Sequence, residues 1–144
     1  FDQTLARVYS SVLDTAKMVQ ASEVFIEAPL LIVGNENAAH TAMALIQLTG
    51  AIRAAATRAG CKVSLVAVST VRTFFIDHGR LPSAEAKAAV MARCDGLGWD
   101  IRDMQGKPSN DRADAIAVWA YGMAQRFPAW ATRLTPLFQK AAMG

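Results

Sequence analysis

Two carboxylates three residues apart, Asp111 and Asp114 in Asp111-Arg112-Ala113-Asp114, open the apolar segment Ala115-Ile116-Ala117-Val118-Trp119-Ala120-Tyr121. On a helix the two side chains share a face, because positions i and i+3 are neighbours there. A helix that otherwise reads as core has no packing reason to carry two acids side by side at its head. A third acid, Glu27, ends the apolar run Val24-Phe25-Ile26 and is followed by Ala28-Pro29. Carboxylates delivered from a strand end and from a helix start suit hard divalent cations; magnesium prefers oxygen ligands and takes only a few from protein. Capping is the competing reading, since Asn and Asp are favoured at helix starts, and Asn110 and Asp111 could serve only that role. It explains Asp114, inside the helix, less well. For Glu27 the competing reading is an exposed strand end.

The elements that must position these acids follow from periodicity. Leu5, Val8, Val12, Leu13 and Ala16 make the apolar stripe of a helix over about residues 2–19. Glu23–Glu27 reads as a short strand stopped by Pro29, with Val24 and Ile26 on one face and Phe25 and Glu27 on the other. Residues 30–36 form a loop around Gly34, and a long helix over about 37–59 ends at Gly60, where a left-handed cap is common. Residues 62–68 form a second, nearly continuous apolar strand, as buried strands of α/β proteins do. Ser69 or Thr70 caps a short helix to about Ile76, His78 to Pro82 make a turn, and Ser83 caps a helix over 84–94 with Glu85 in its first turn. Residues 95–110 are a polar connection bearing Gly96, Gly98, Gly106 and Pro108. The acid-bearing helix runs over about 111–126 and stops before Pro128, and a last short helix spans 130–140. This order predicts an α/β sandwich. Two strands alone make a marginal sheet, so the pattern calls for more strands ahead of residue 1. Residue 1 is Phe, not Met, and helical spacing is already running at Thr4, which reads as an N-terminal truncation.

A length of 144 residues fits one domain over residues 1–144. Hydrophobic residues at 53% and charged ones at 19% exclude a disordered chain. No apolar stretch approaches the roughly 20 residues that span a bilayer. The longest candidate, 38–59, is interrupted by His40, Gln47, Arg53 and Arg58. The start lacks the basic and apolar segments of a signal peptide. Cys61 and Cys94 have no Cys-x-x-Cys spacing and no nearby His, which reads as reduced, partly buried thiols. The expectation is a cytoplasmic protein without a membrane partner. The net charge is +3. If Glu27, Asp111 and Asp114 hold metal, nine acids face 15 bases over the rest of the chain, an excess that suits a polyanion. An ordinary solvated surface explains it equally well.

Taken in order, these segments resemble a known family. Val24-Phe25-Ile26-Glu27, an Ala-rich helix with Gly50, a second strand, Val71-Arg72-Thr73-Phe74-Phe75, Gly79-Arg80, Ala86-Lys87 and Asp111-Arg112-Ala113-Asp114-Ala115 together resemble the RuvC-type Holliday junction resolvases. The likeness is greatest to their phage and prophage relatives in the ribonuclease-H-like superfamily, and it runs from about Ser22 to Ala124. No one motif is specific; the ordered set carries the resemblance. It implies a ribonuclease-H-like α/β sheet flanked by helices, with the N-terminal strands missing from this chain. It also implies a metal-dependent, structure-selective endonuclease that resolves branched, Holliday-type DNA by phosphodiester hydrolysis. Glu27 would be a ligand from the strand, and Asp111 and Asp114 would close the site from the helix around two Mg2+ or Mn2+ ions. Such a pair, about 4 Å apart, can bind both the nucleophile and the leaving group. Lys87 would stand near the scissile phosphate as a point charge, and Arg72, Arg80, Lys87 and Lys107 would contact DNA.

One departure is large. The family's first metal-binding Asp lies on an opening strand in a Gly-bearing segment, whereas Asp2 and Asp14 here fall in a helical pattern. The polypeptide as it stands is expected to have weak or no nuclease activity until the missing strands are restored. The basic residues also have a plain reading as solvated helix or turn charges. His40 and His78 lack ligand spacing. Of Phe74 and Phe75, at least one is expected in the core and one could stack on a base; Trp119 reads as packing. Ala42, Leu45, Ile46, Thr49, Ile52 and Ala56 give the long helix a small-residue face, which the resemblance assigns to a two-fold homodimer and which burial against the chain's own sheet explains as well. Two other functions fit the same pattern: a non-catalytic ribonuclease-H-like module binding nucleic acid or a partner, and a transposase or other nuclease of the superfamily.

Overall fold

The computed structural model describes residues 2–29 and 36–129. They fall into two compact units that divide between Leu65 and Val66. The expected helix over 130–140 and most of the loop at 30–36 lie outside the described residues.

The apolar stripe from Leu5 forms α1 (Asp2–Met18), with an acid in its first turn and Lys17 in its last, each matched to the helix dipole. Strand β1 (Glu23–Glu27), helix α2 (Glu36–Arg58) and strand β2 (Lys62–Val66) complete the first unit. The strands form a parallel pair with α2 as the crossover. α1 packs on α2, and α2 on β1. Their core is built on Ala16, Ala56 and Cys61, with Val12, Val24 and Val63 packed around it. Gly60 takes a φ of 84° after α2, the left-handed conformation that favours glycine. Glu23 is committed to the sheet: Ser64 Oγ donates to its Oε1 at 2.8 Å and Lys62 Nζ lies 3.9 Å away. Glu27, at the carboxyl end of the same strand, is exposed.

The second unit packs α3 (Val68–Ile76), α4 (Ser83–Gly96) and α5 (Asn110–Arg126) against one another. β2 ends two residues earlier than its apolar run suggests, because Ala67 already serves as the N-cap of α3. Ser69 and Thr70 therefore lie inside the first turn, and the expected side-chain cap is not formed. Ser83 is likewise the first helical residue, behind Pro82. Buried side chains set both starts. Val71 and Phe75 dock α3, and Ala86, Val90 and Cys94 dock α4, all at helical spacing. Local cap preference yields to that packing.

Phe75 is fully buried and stacks on Trp99 with centroids 6.1 Å apart, while Trp119 meets Trp99 edge-on at 5.8 Å. The connection that carries Trp99 is ordered. Arg102 and Pro108 form an antiparallel bridge, and Asp103 Oδ1 accepts from the backbone N–H groups of Gln105 and Lys107 at 2.8 and 2.9 Å. Among the described residues no helix is long and apolar enough to cross a membrane.

Candidate active site

Helix α5 is capped by Ser109, whose side chain accepts from Arg112 N at 3.3 Å. Neither Asn110 nor Asp111 is needed for that role, so capping does not account for Asp111. Its carboxylate is exposed in the first turn, where the helix dipole favours a negative charge. Asp114, one turn further in, is half-buried. Burial pushes its carboxyl above the usual range; Arg72 and Lys87 pull it back, and Asp111 adds to the rise. A second carboxylate from α5, one guanidinium from α3 and one ammonium from α4 thus act on the Asp114 carboxyl in the second unit. Four of the residues singled out from sequence are linked electrostatically at Asp114.

Three of them follow a common local rule. Arg72 follows buried Val71, Lys87 follows buried Ala86, and Asp114 follows buried Ala113. One residue is about 100° of helix rotation, enough to bring a side chain from the core to its rim. Each core anchor therefore places the charged residue behind it at the edge of its helix's buried face.

Cys94 is wholly buried, and its Sγ lies 4.0 Å from the Ala113 carbonyl oxygen. Burial pushes its thiol pKa up, the Asp114 charge pushes it the same way, and Arg93 opposes them. Sequence reasoning left Cys94 as an isolated thiol. The signal that links it to the site is its spacing of seven from Lys87, two turns along one face of α4.

The remaining candidates belong to other elements. Arg80 is exposed on the α3–α4 turn, and Lys107 is exposed in the connection before α5, its backbone held by Asp103. Glu27 belongs to the first unit, where with Pro29, Leu45 and Ile52 it lines a largely apolar cleft of about 580 Å³ between β1 and α2. The carboxyl end of a parallel strand is where α/β proteins place ligands. Asp111 and Asp114 offer two hard oxygen donors one turn apart, which suits magnesium, an ion commonly held by one or two carboxylates plus substrate phosphate. Among the described residues no group of three or more His, Cys, Asp or Glu side chains is gathered to hold a metal ion.

The fold is shared with solved structures. Thermus thermophilus RuvC matches with a TM-score of 0.61 and 21% identity, over 86% of this chain and 69% of that one. T. thermophilus RuvC in complex with a Holliday junction substrate matches with a TM-score of 0.57 and 21% identity, over 81% of this chain and 64% of that one. The chain thus spans about two thirds of the length of these structures. No family model and no curated protein sequence matches it. At this level of identity the common property is a RuvC-like fold.

Proposed function

We propose that this RuvC-like chain is a metal-dependent, structure-selective endonuclease that resolves branched DNA by phosphodiester hydrolysis. One observation carries the reading: in this fold, Arg72 of α3, Lys87 of α4 and Asp111 of α5 all act electrostatically on the half-buried carboxylate of Asp114. Charges of both signs at the rim of a core suit a ligand that is itself a phosphate flanked by metal. Arg72 can fork two donors onto phosphate oxygens, and Lys87 supplies a compact charge beside them. In this reading Asp111 and Asp114 are the second unit's oxygen ligands, and Glu27 is the first unit's candidate ligand. Bound Mg2+ or Mn2+ would supply Lewis acidity and a lowered pKa for an attacking water. Arg80 and Lys107 take the outlying DNA backbone. A second copy of the chain fits the task, since a junction has paired strands to cut. Helix α2 leaves Met43, Leu45 and Ile46 exposed for such contact.

The test compares a four-way junction with a linear duplex of the same sequence, with and without Mn2+. Junction binding is expected to be tighter by about tenfold or more, roughly 1.4 kcal/mol. Mn2+ is expected to raise the unfolding midpoint of the wild type and not that of Asp114→Asn, because a ligand of the native state stabilises it. Metal-dependent junction cleavage, or Mn2+ stabilisation that Asp114→Asn abolishes, identifies the metal-dependent reading. Selective junction binding with neither identifies a non-catalytic junction-binding module, and equal affinity for both DNAs overturns either form of the reading.

A further inference from the structure

The second unit has another concavity, an open groove of about 800 Å³ along α3 and the α3–α4 turn, that the charged site does not use. Phe74 and Tyr121 line it and meet edge to face, with centroids 5.7 Å apart and planes at 80°. Both are half-buried, so the pair shows aromatic surface to the groove, whereas neighbouring Phe75 is consumed by the core. Asp77, His78 and Arg80 line the groove and are exposed. The turn that carries them is tightly built. Asp77 takes a φ of 62°, and a Cβ on Gly79 would stand 2.5 Å from Thr73 Oγ1 and 3.2 Å from the Ser69 carbonyl oxygen. Only glycine lets the turn close this far onto α3.

We infer that this groove receives one unpaired nucleotide of a DNA strand. Its base stacks on one ring of the Phe74–Tyr121 pair and meets the other edge-on, an exocyclic amino group donates to the Asp77 carboxylate, and its phosphate meets Arg80 and His78. Aromatic side chains stack any base, carboxylates accept from base amino groups, and guanidinium groups fork onto phosphate. A bare anion would have no use for the aromatic pair and would be opposed by Asp77. A wholly apolar ligand would leave three polar side chains without a role. A nucleotide engages all of them.

The groove's place relative to Asp114 agrees. Tyr121 is seven residues further along α5, two turns on the same face and about 10 Å away. That is about three steps of a stacked strand. A strand with its phosphate at Asp114 therefore reaches the groove a few nucleotides away. The location rests on the proposed nuclease reading; the affinity of the groove for a nucleotide does not.

The experiment measures binding of a labelled single-stranded hexanucleotide in which one abasic position is walked along the strand. In the wild type, one position is expected to lose about tenfold in affinity when its base is removed, roughly 1.4 kcal/mol. Tyr121→Leu is expected to bind the intact strand that much more weakly and to give a flat scan. Arg80→Ala, a surface change that leaves the fold intact, is expected to weaken every strand alike and to lower the slope of log affinity against log salt by about one. A flat scan in the wild type overturns the inference. So does a free deoxynucleoside monophosphate that competes as well as the strand. Loss of junction preference with the scan intact sinks the nuclease reading alone, and a flat scan with junction preference intact sinks the groove alone.

Discussion

The Cys94 thiol lies 4.0 Å from the carbonyl oxygen of Ala113, beneath the turn of α5 that carries Asp114. A thiol is nucleophilic only as the thiolate. Burial and the Asp114 charge both hold Cys94 protonated, and Cys61 is also buried. Neither is expected to react promptly with an aromatic disulfide reagent at pH 8, and both are expected to react once the chain is unfolded in guanidinium. Fast release of one equivalent from the native protein would contradict this arrangement.

Asp114 makes stability depend on pH in an uncommon direction. Its folded pKa is raised by burial, so the fold binds the proton more tightly than the unfolded chain does, whose Asp titrates near about 3.9. Stability is then greatest below the unfolded value and declines as pH rises through the window up to the folded one. Asp114→Asn removes this contribution. The variant is expected to be more stable than the wild type at pH 7, with the two converging near pH 3. Urea midpoints from pH 3 to 7 measure the difference; a variant less stable at pH 7 would show that the attraction to Arg72 and Lys87 outweighs burial.

Phe74 and Phe75 are adjacent but differ in what their removal costs. Phe75 has no exposed surface and is stacked on Trp99. Phe75→Ala is expected to cost about 3–5 kcal/mol, with loss of the native tryptophan emission. Phe74→Ala, at a half-buried site against Tyr121, is expected to cost less than half as much. Denaturant unfolding followed by fluorescence decides, and equal losses would mean that both rings are core.

Lys87 and Arg72 offer a test of electrostatics without any cleavage. Removing one side chain that neutralises a DNA phosphate lowers the salt slope of binding by about 0.9. Lys87→Ala and Arg72→Ala are each expected to lower the slope by about that amount and to weaken binding between 50 and 200 mM salt. Unchanged slopes would leave them as partners of Asp114 only.

Long, periodic segments were the most legible part of the chain. Glu23–Glu27 is the strand that its alternation and Pro29 predict, and α2 and α5 lie within a residue of their expected bounds. Caps were less legible, because a cap is chosen by where the helix docks. Val71 and Phe75 pull the start of α3 ahead of Ser69, and the cap of α5 falls on Ser109 rather than on Asn110 or Asp111. The cluster around Asp114 was legible as a set of residue types. The part played by Cys94 was not, since a buried thiol has no sequence signature beyond its spacing from Lys87. The groove at Asp77 was hidden too, because it depends on a left-handed residue and a glycine that close a turn onto α3.

One face of helix α5 is an almost bare backbone: Ala113, Ala117, Ala120 and Ala124, spaced along it, are all buried. A methyl group has no rotamers, so this face cannot absorb a disturbance by rearranging. It works as a fixed gauge, setting how far Asp114 stands from the helices that bring Arg72 and Lys87. The same stiffness means that a single added methylene on the alanine face would shift the whole helix, acids included, and would retune the site from a position that no ligand touches.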